Sequence, residues 1–352
     1  MRKIALISEH ASPIAPLGSV DSGGQNVYVA QVACELAALG YQVDVFTRRD
    51  NEHQAPVLNW KPGVRVVHVP AGPAQYIAKE EMLPYMDQFA RYMIRFARRQ
   101  QEPYDLVHAN FFMSGMVAQQ IKHALGIPFV ITFHALGRVR RLSQKQDDGF
   151  PDVRFAIEER LMQEADRIIA ECPQDKEDMQ KLYGADDANI DIVPCGFDPV
   201  EFAPLGQDAR AQLGFKPNEF VVLQLGRMVP RKGVDNVIRA TALLRQQYGI
   251  SARLLIVGGN SEQPDPDVTP ELGRLIRMTE ELGIADCVQF TGKRQREHLR
   301  YYYTAANVFV TTPLYEPFGI TPLVAMACGT PVIGSAVGGI KSTVVDGETG
   351  FL

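Results

Sequence analysis

The segment Glu316-Pro317-Phe318-Gly319-Ile320-Thr321-Pro322-Leu323-Val324-Ala325-Met326-Ala327-Cys328-Gly329-Thr330-Pro331-Val332-Ile333 is the most informative stretch of the chain. A lone carboxylate enters a Phe-Gly turn, a small apolar helix follows, and Cys-Gly-Thr-Pro leads into a short strand. The same alternation of helix and short apolar run extends outward in both directions. Strands are expected at residues 4–7, 43–46, 64–67, 106–108, 129–132, 168–170 and 190–193, with helices at 25–39, 82–99, 115–123 and 155–164. This β-α-β-α order predicts a parallel sheet covered on both faces. Around residues 194–217 the pattern lapses into Pro, Gly and polar residues, as a domain junction does. A second series then begins, with strands at 220–225, 254–257, 288–291, 308–310, 332–333 and 344–345 and helices at 234–247 and 269–282. The expected fold is α/β, with two Rossmann-like doubly wound domains, residues 1–200 and 201–352, facing a cleft at the carboxyl ends of their strands. The chain stops at Gly350-Phe351-Leu352 in what reads as the start of a strand, so the second domain is expected to be truncated at its C-terminal end.

Composition narrows the function classes. The 352 residues are 46% hydrophobic, enough for each half to bury a core. A net charge of −5 argues against bulk electrostatic binding to nucleic acid. Five scattered cysteines without a CxxC pair fit neither a disulfide framework nor a zinc site. The apolar run after Met1-Arg2-Lys3 is too short for a signal peptide, and no apolar run approaches the length of a membrane span. A soluble cytoplasmic protein is expected. Its oligomeric state is left open.

Five constellations carry chemistry. Asp21-Ser22-Gly23-Gly24-Gln25-Asn26 follows the first strand and opens a helix, so its paired glycines let backbone N–H groups approach an anion. The plain alternative is an ordinary loop with a helix cap. Thr132-Phe133-His134 ends a strand, which aims His134 at the sheet's ligand-binding edge. Arg138, Arg140, Arg141 and Lys145 form either a solvated basic face or, with Lys79 and Arg154, a seat for an acceptor phosphate. Gly226-Arg227-Met228-Val229-Pro230-Arg231-Lys232-Gly233 puts Arg227 and Lys232 on one turn, where they could converge on a diphosphate and neutralise a leaving nucleotide. In the opening segment, Glu316 can accept bonds from sugar hydroxyls, while Phe318, Gly319, Ile320 and Thr321 offer backbone N–H groups at a helix start.

Together these strings resemble the retaining GT-B glycosyltransferases of the group 1 type, near sucrose-phosphate synthase and its bacterial relatives, across nearly the whole chain. The resemblance implies transfer of a hexose, with glucose foremost, from a nucleoside diphosphate sugar to a hydroxyl of a sugar-phosphate acceptor such as fructose 6-phosphate. It implies an N-terminal acceptor domain and a C-terminal nucleotide-sugar domain. His134, Arg227, Lys232 and Glu316 become the catalytic set. Gly23, Gly24, Arg294, Phe318, Gly319, Ile320, Thr321 and the position of Val324 join Arg227, Lys232 and Glu316 on the donor, which is UDP-, ADP- or GDP-glucose. Asn26, Lys79, Arg138 and Arg154 fall to the acceptor. No cofactor and no metal are required, because no Asp-x-Asp pair of the metal-binding type stands at a strand end. The chain departs from the pattern at Val324, where the family has a second Glu that accepts bonds from the donor ribose. A degenerate nucleotide-sugar-binding protein is therefore a competing reading, and a GT-B nucleotide-sugar epimerase a further one. An NAD-binding reading lacks G-x-G-x-x-G after the first strand.

Overall fold

The computed structural model describes residues 2–15, 23–144, 149–206 and 208–352. Asp21, Ser22 and Lys145 of the motifs above lie outside the described residues. The chain divides into two compact units, the first ending at Pro194 and the second running from Cys195 to Leu352.

The first unit carries strands β1 (Lys3–Ile7), β2 (Gln42–Arg48), β3 (Val57–Lys61), β4 (Val64–Val69), β5 (Leu106–Asn110), β6 (Phe129–Thr132), β7 (Arg167–Ala170) and β8 (Ile190–Ile192). Its helices are α1 (Gly24–Ala38), α2 (Met86–Arg98), α3 (Phe112–Leu125), α4 (Gly137–Gln144), α5 (Val153–Glu164) and α6 (Pro173–Tyr183). The strands lie in the order β3-β4-β2-β1-β5-β6-β7-β8, and only the β3–β4 pair is antiparallel. Alternation along β1 shows why the sheet is doubly covered. Ile4 and Leu6 pack with Val29 and Ala33 of α1, while Ala5 and Ile7 join a larger core containing Phe89 of α2 and Val117 of α3. The order reverses direction between β1 and β5, and such a reversal opens a crevice at the strands' carboxyl ends.

The second unit adds α7 (Asp208–Gln212), β9 (Val221–Leu225), α8 (Val234–Tyr248), β10 (Arg253–Val257), α9 (Pro270–Glu281), β11 (Val288–Phe290), α10 (Arg296–Ala305), β12 (Val308–Thr311), α11 (Ile320–Ala327), β13 (Val332–Gly334), α12 (Ile340–Thr343) and β14 (Gly350–Phe351). Its sheet is wholly parallel in the order β11-β10-β9-β12-β13-β14, the doubly wound arrangement with its reversal between β9 and β12. Val221, Leu223 and Leu225 face a core with α10 and α11, and Val222 faces one with α8 and α9. The segment before β9 is not a bare linker. Phe202 and Ala209 are buried in this unit's core, and Arg296 holds Glu201 at 2.6 Å over the Phe202 ring.

One expected strand is absent. Residues 344–345 do not pair, because Val344 caps α12 and is 2% exposed beneath it. The edge strand is instead β14, beside β13. Gly350 is required there, since a Cβ would stand 2.1 Å from the Val332 carbonyl oxygen. No helix among the described residues is long and apolar enough to cross a membrane.

Candidate functional site

In the second unit, two loops leave the sheet at its reversal point, one after β9 and one after β12. They are stitched together by backbone. Leu314 N donates to Arg231 O at 2.9 Å, and the Thr312 hydroxyl donates to Gly233 O at 2.7 Å. Gly233 has φ 64°, and a Cβ there would lie 2.0 Å from Thr312 O, so only glycine permits this approach. The stitching brings Lys232 Nζ into an ion pair with Glu316 Oε2, although 84 positions separate them in sequence. Both side chains are mostly buried. Burial draws the Lys232 pKa down, against the opposing pull of Glu316. Burial alone would raise Glu316, but the charges of Lys232, Arg231 and Arg227 hold it below the usual carboxylate range. Arg227 is half-buried nearby, and Arg231 donates to Tyr315 O at 3.3 Å.

Helix α11 begins beside Glu316. Its N-cap Gly319 has φ 90°, and the Gly319 Cβ position lies 3.7 Å from Glu316 Cγ. Ile320 and Thr321 start the helix half-buried, and Phe318 is 5% exposed. The N–H groups of a helix's first turn favour an anion. Val324 points elsewhere than into open space. It is buried in the apolar core with Ala325, Cys328 and Phe309. Arg294 is bound to its own surroundings, with Nε on the Tyr302 hydroxyl at 2.8 Å and Nη1 on the Glu262 and Lys293 carbonyls.

In the first unit, adjacent strands β5, β6 and β7 deliver three polar side chains at their carboxyl ends. His134 Nε2 lies 3.0 Å from Asn110 Oδ1, and Nδ1 lies 3.1 Å from Glu171 Oε1. The Asn110 amide group is turned by its own donations to Ile7 O and His108 O, which leaves its oxygen facing the imidazole. The edge of Tyr28 closes the ring from the side at 4.8 Å. His134 itself has φ 58°, a conformation non-glycine residues rarely hold without support. Beyond Glu171, Asp175 is pushed up to about 8, first by burial and then by the Glu171 charge. His108 is a core histidine by contrast, bound to Thr132 Oγ1 at 2.9 Å and lowered to about 3 by burial.

The glycine loop before α1 is braced rather than open on all sides. Gly23 N donates to Asn26 Oδ1 at 2.9 Å, and Asn26 Nδ2 donates to Ser12 O at 2.9 Å. Gln25 Nε2 reaches Ser8 Oγ and Asn110 O. Gly24 opens the helix. Lys79 stands 3.4 Å from Glu80. Arg138 is tied to Leu182 O and Glu159 and lies over the Tyr183 ring. Arg154 is fully buried, its Nε on Glu158 at 2.7 Å and its Nη2 on Ala135 O, among the rings of Phe111, Phe112 and Phe150. Its Nη1 makes no hydrogen bond among the described residues.

Thus Lys232, Glu316, Gly319 and Arg227 share one locale, while Val324 and Arg294 are engaged by their own unit. Sequence reading passed over Asn110, Glu171, Glu158 and Tyr183. The first two follow the same rule that singled out His134, a polar residue at or just past the end of a parallel strand.

Residues 22–201 match the family model described as Glycosyltransferase Family 4, and residues 207–352 match that of Glycosyl transferases group 1. A D-inositol 3-phosphate glycosyltransferase of Actinosynnema mirum is 38% identical, over 100% of this chain and 85% of its own length. The structure of a sucrose-phosphate synthase from Thermosynechococcus elongatus superposes with a TM-score of 0.91 at 35% identity, covering 100% of this chain and 86% of that one. An Anabaena protein solved in complex with UDP-glucose shares the fold, with a TM-score of 0.74 at 22% identity over 100% of this chain and 85% of that one.

Proposed function

The chain belongs to the group 1 glycosyltransferases of the GT-B fold, and from that premise we propose that it moves a hexose, glucose foremost, from a nucleoside diphosphate sugar to a hydroxyl of a phosphorylated sugar or polyol with retention of configuration. The observation that carries this reading is the buried Lys232–Glu316 pair at the start of α11, with Arg227 and Arg231 beside it. Lys232 has three N–H donors, so it can hold Glu316 and still meet a diphosphate oxygen. As the glycosidic bond breaks, negative charge grows on the departing nucleotide. Lys232, Arg227 and the first turn of α11 are fixed in advance to receive it. Glu316, kept ionised, accepts hydrogen bonds from the sugar hydroxyls. The leaving phosphate oxygen takes the acceptor's proton on the same face, so no separate general base is needed. The charges on these residues make a metal ion unnecessary for the step.

The acceptor falls to the first unit. Two relatives support a phosphorylated one, the first named for D-inositol 3-phosphate and the second for sucrose phosphate. Lys79 is the cation assigned to the phosphate, and Arg154, whose Nη1 makes no hydrogen bond among the described residues, can join it only if its enclosure by Phe111, Phe112 and Phe150 opens. Arg138, with its fork on Leu182 and Glu159, is the weaker candidate. Fructose 6-phosphate is the first acceptor to try, then inositol phosphates. The competing reading, a nucleotide-sugar-binding protein with weakened chemistry, draws on Val324, which lies in the apolar core where the family carries a carboxylate. The deciding experiment is a screen of UDP-, ADP- and GDP-glucose against these phosphates and their unphosphorylated parents. Acceptor-dependent nucleotide release supports transfer. Nucleotide binding with no acceptor-dependent release would favour the competing reading.

A further inference from the structure

Three side chains, Arg154, Glu158 and Tyr183, converge on the short turn that follows His134. Arg154 Nη2 donates to Ala135 O. Gly137 N donates to both oxygens of Glu158, at 3.2 and 3.0 Å. Arg138 N donates to the Tyr183 hydroxyl at 2.8 Å, and that hydroxyl in turn donates to Glu158 Oε2. Arg154 Nε closes the network on Glu158 Oε1 at 2.7 Å. The groups come from α5 and from the end of α6, yet their bonds all end on the backbone of residues 135–138. Arg154 and Glu158 are both 0% exposed.

The turn is cut to fit this network. A Cβ at Gly137 would stand 2.9 Å from both Arg154 Nε and Glu158 Oε2, so a side chain there would push the turn away. A buried ion pair is in general a poor source of net stability, because desolvation offsets its attraction. Its better-attested use is to specify one arrangement over others. Here the arrangement specified is that of residues 135–138, directly after the left-handed His134. Nothing in the local sequence imposes φ 58° on a histidine, so the support comes from outside the turn.

We propose that Glu158 and Tyr183 are positioning residues for glycosyl transfer, which hold His134 in its left-handed conformation by pinning the backbone of Gly137 and Arg138 while Arg154 holds the Ala135 carbonyl. This rests on the reading that the His134 turn takes part in that transfer. Tyr183 is the cleaner handle, because its hydroxyl both accepts from the turn and donates to Glu158. It is also separate from Arg154, to which an acceptor contact is assigned.

The test uses the full chain with ¹⁵N-labelled histidine. The ring signals of His134 are assigned by their loss in His134→Gln. In Tyr183→Phe, UDP and ADP affinity and stoichiometry should stay within about twofold of wild type, while transfer per nucleotide-binding molecule falls by about tenfold. The His134 ring signals should move in the same variant, which a loss of folded protein alone would not produce. Unmoved His134 signals, or transfer within about twofold of wild type, would overturn the proposal. If Tyr183→Phe does not fold, Glu158→Gln, which keeps the shape and drops the charge, is scored by the same criteria. A wild type without transfer activity would sink the functional reading instead, and the His134 signals would then decide the clamp on their own.

Discussion

Replacing Lys232 with Ala removes the cation that faces Glu316 in the second unit. The two side chains are 14% and 18% exposed, so the pair is largely shielded from solvent. Two losses follow. The first is catalytic: one preorganised charge on a departing phosphate is worth about 10²- to 10³-fold in rate, or roughly 2.7–4 kcal/mol of barrier. The second is structural. Removing one partner of a fully buried pair costs about 3–5 kcal/mol, and the residual exposure here brings the expectation to about 1–3 kcal/mol. Without Lys232, Glu316 loses the largest of the charges that oppose its burial, so its pKa climbs and less of the carboxylate is ionised to accept sugar hydroxyls. The double variant Lys232→Ala/Glu316→Gln should therefore regain part of the lost stability and none of the rate, giving a coupling of about 0.5–3 kcal/mol in a thermodynamic cycle. Initial rates of nucleotide release give the catalytic term, and urea melts give the stability term. A folded Lys232→Ala protein that keeps its rate within about threefold of wild type would refute the assignment of Lys232 to the leaving group.

Three other outcomes are expected. Val324→Glu should bind UDP- or ADP-glucose about 10- to 100-fold more tightly in calorimetry, by supplying an acceptor for the ribose diol. The same change should lower the stability of the ligand-free protein by about 1–3 kcal/mol, because Val324 now packs at 5% exposure among apolar groups; unchanged or weaker binding with the fold intact would mean that the ribose is held differently. Asp175 is pushed up to about 8 from 3.8 by burial and by Glu171, so it is neutral in the fold where the unfolded chain would ionise it. Its contribution is therefore full below about pH 4 and is lost as pH rises to about 8, at no more than about 1.4 kcal/mol per pH unit, and Asp175→Asn should flatten that slope in melts across the range. Transfer should survive EDTA, since no group of three or more His, Cys, Asp or Glu side chains is placed for a metal among the described residues; loss with EDTA, restored by magnesium or manganese, would contradict metal-independent transfer.

The strands were legible wherever a run of buried apolar residues met a turn signal, as in β6 and β10, because parallel strands are covered on both faces. Strand β3 is not legible in the sequence because its residues are mostly exposed, so Val57–Lys61 shows no buried run. Helices α4, α6 and α10 are hard to read for a related reason, being short and rich in charge. At residues 344–345 two valines resemble a strand, but core packing under α12 claimed the first of them. As candidates, His134 in the first unit and Lys232 and Glu316 in the second were readable from local strings. Their partners were not: Glu171 lies 37 positions from His134, and only the neighbouring of β6 and β7 joins them. Arg154 shows the limit from the other side. A basic residue near a helix start reads as exposed, yet the fold encloses it among three phenylalanine rings and Glu158.

The central claim is retaining hexosyl transfer onto a phosphorylated acceptor, and the anomeric proton of the product tests it most directly. The purified protein is incubated with UDP-, ADP- and GDP-glucose, each α-linked, and with fructose 6-phosphate or an inositol phosphate, and the product is read by proton NMR. The account predicts a new α-glucosidic signal that requires the phosphorylated acceptor and disappears in Lys232→Ala. A β-linked product, or free glucose released equally with and without acceptor, would contradict it.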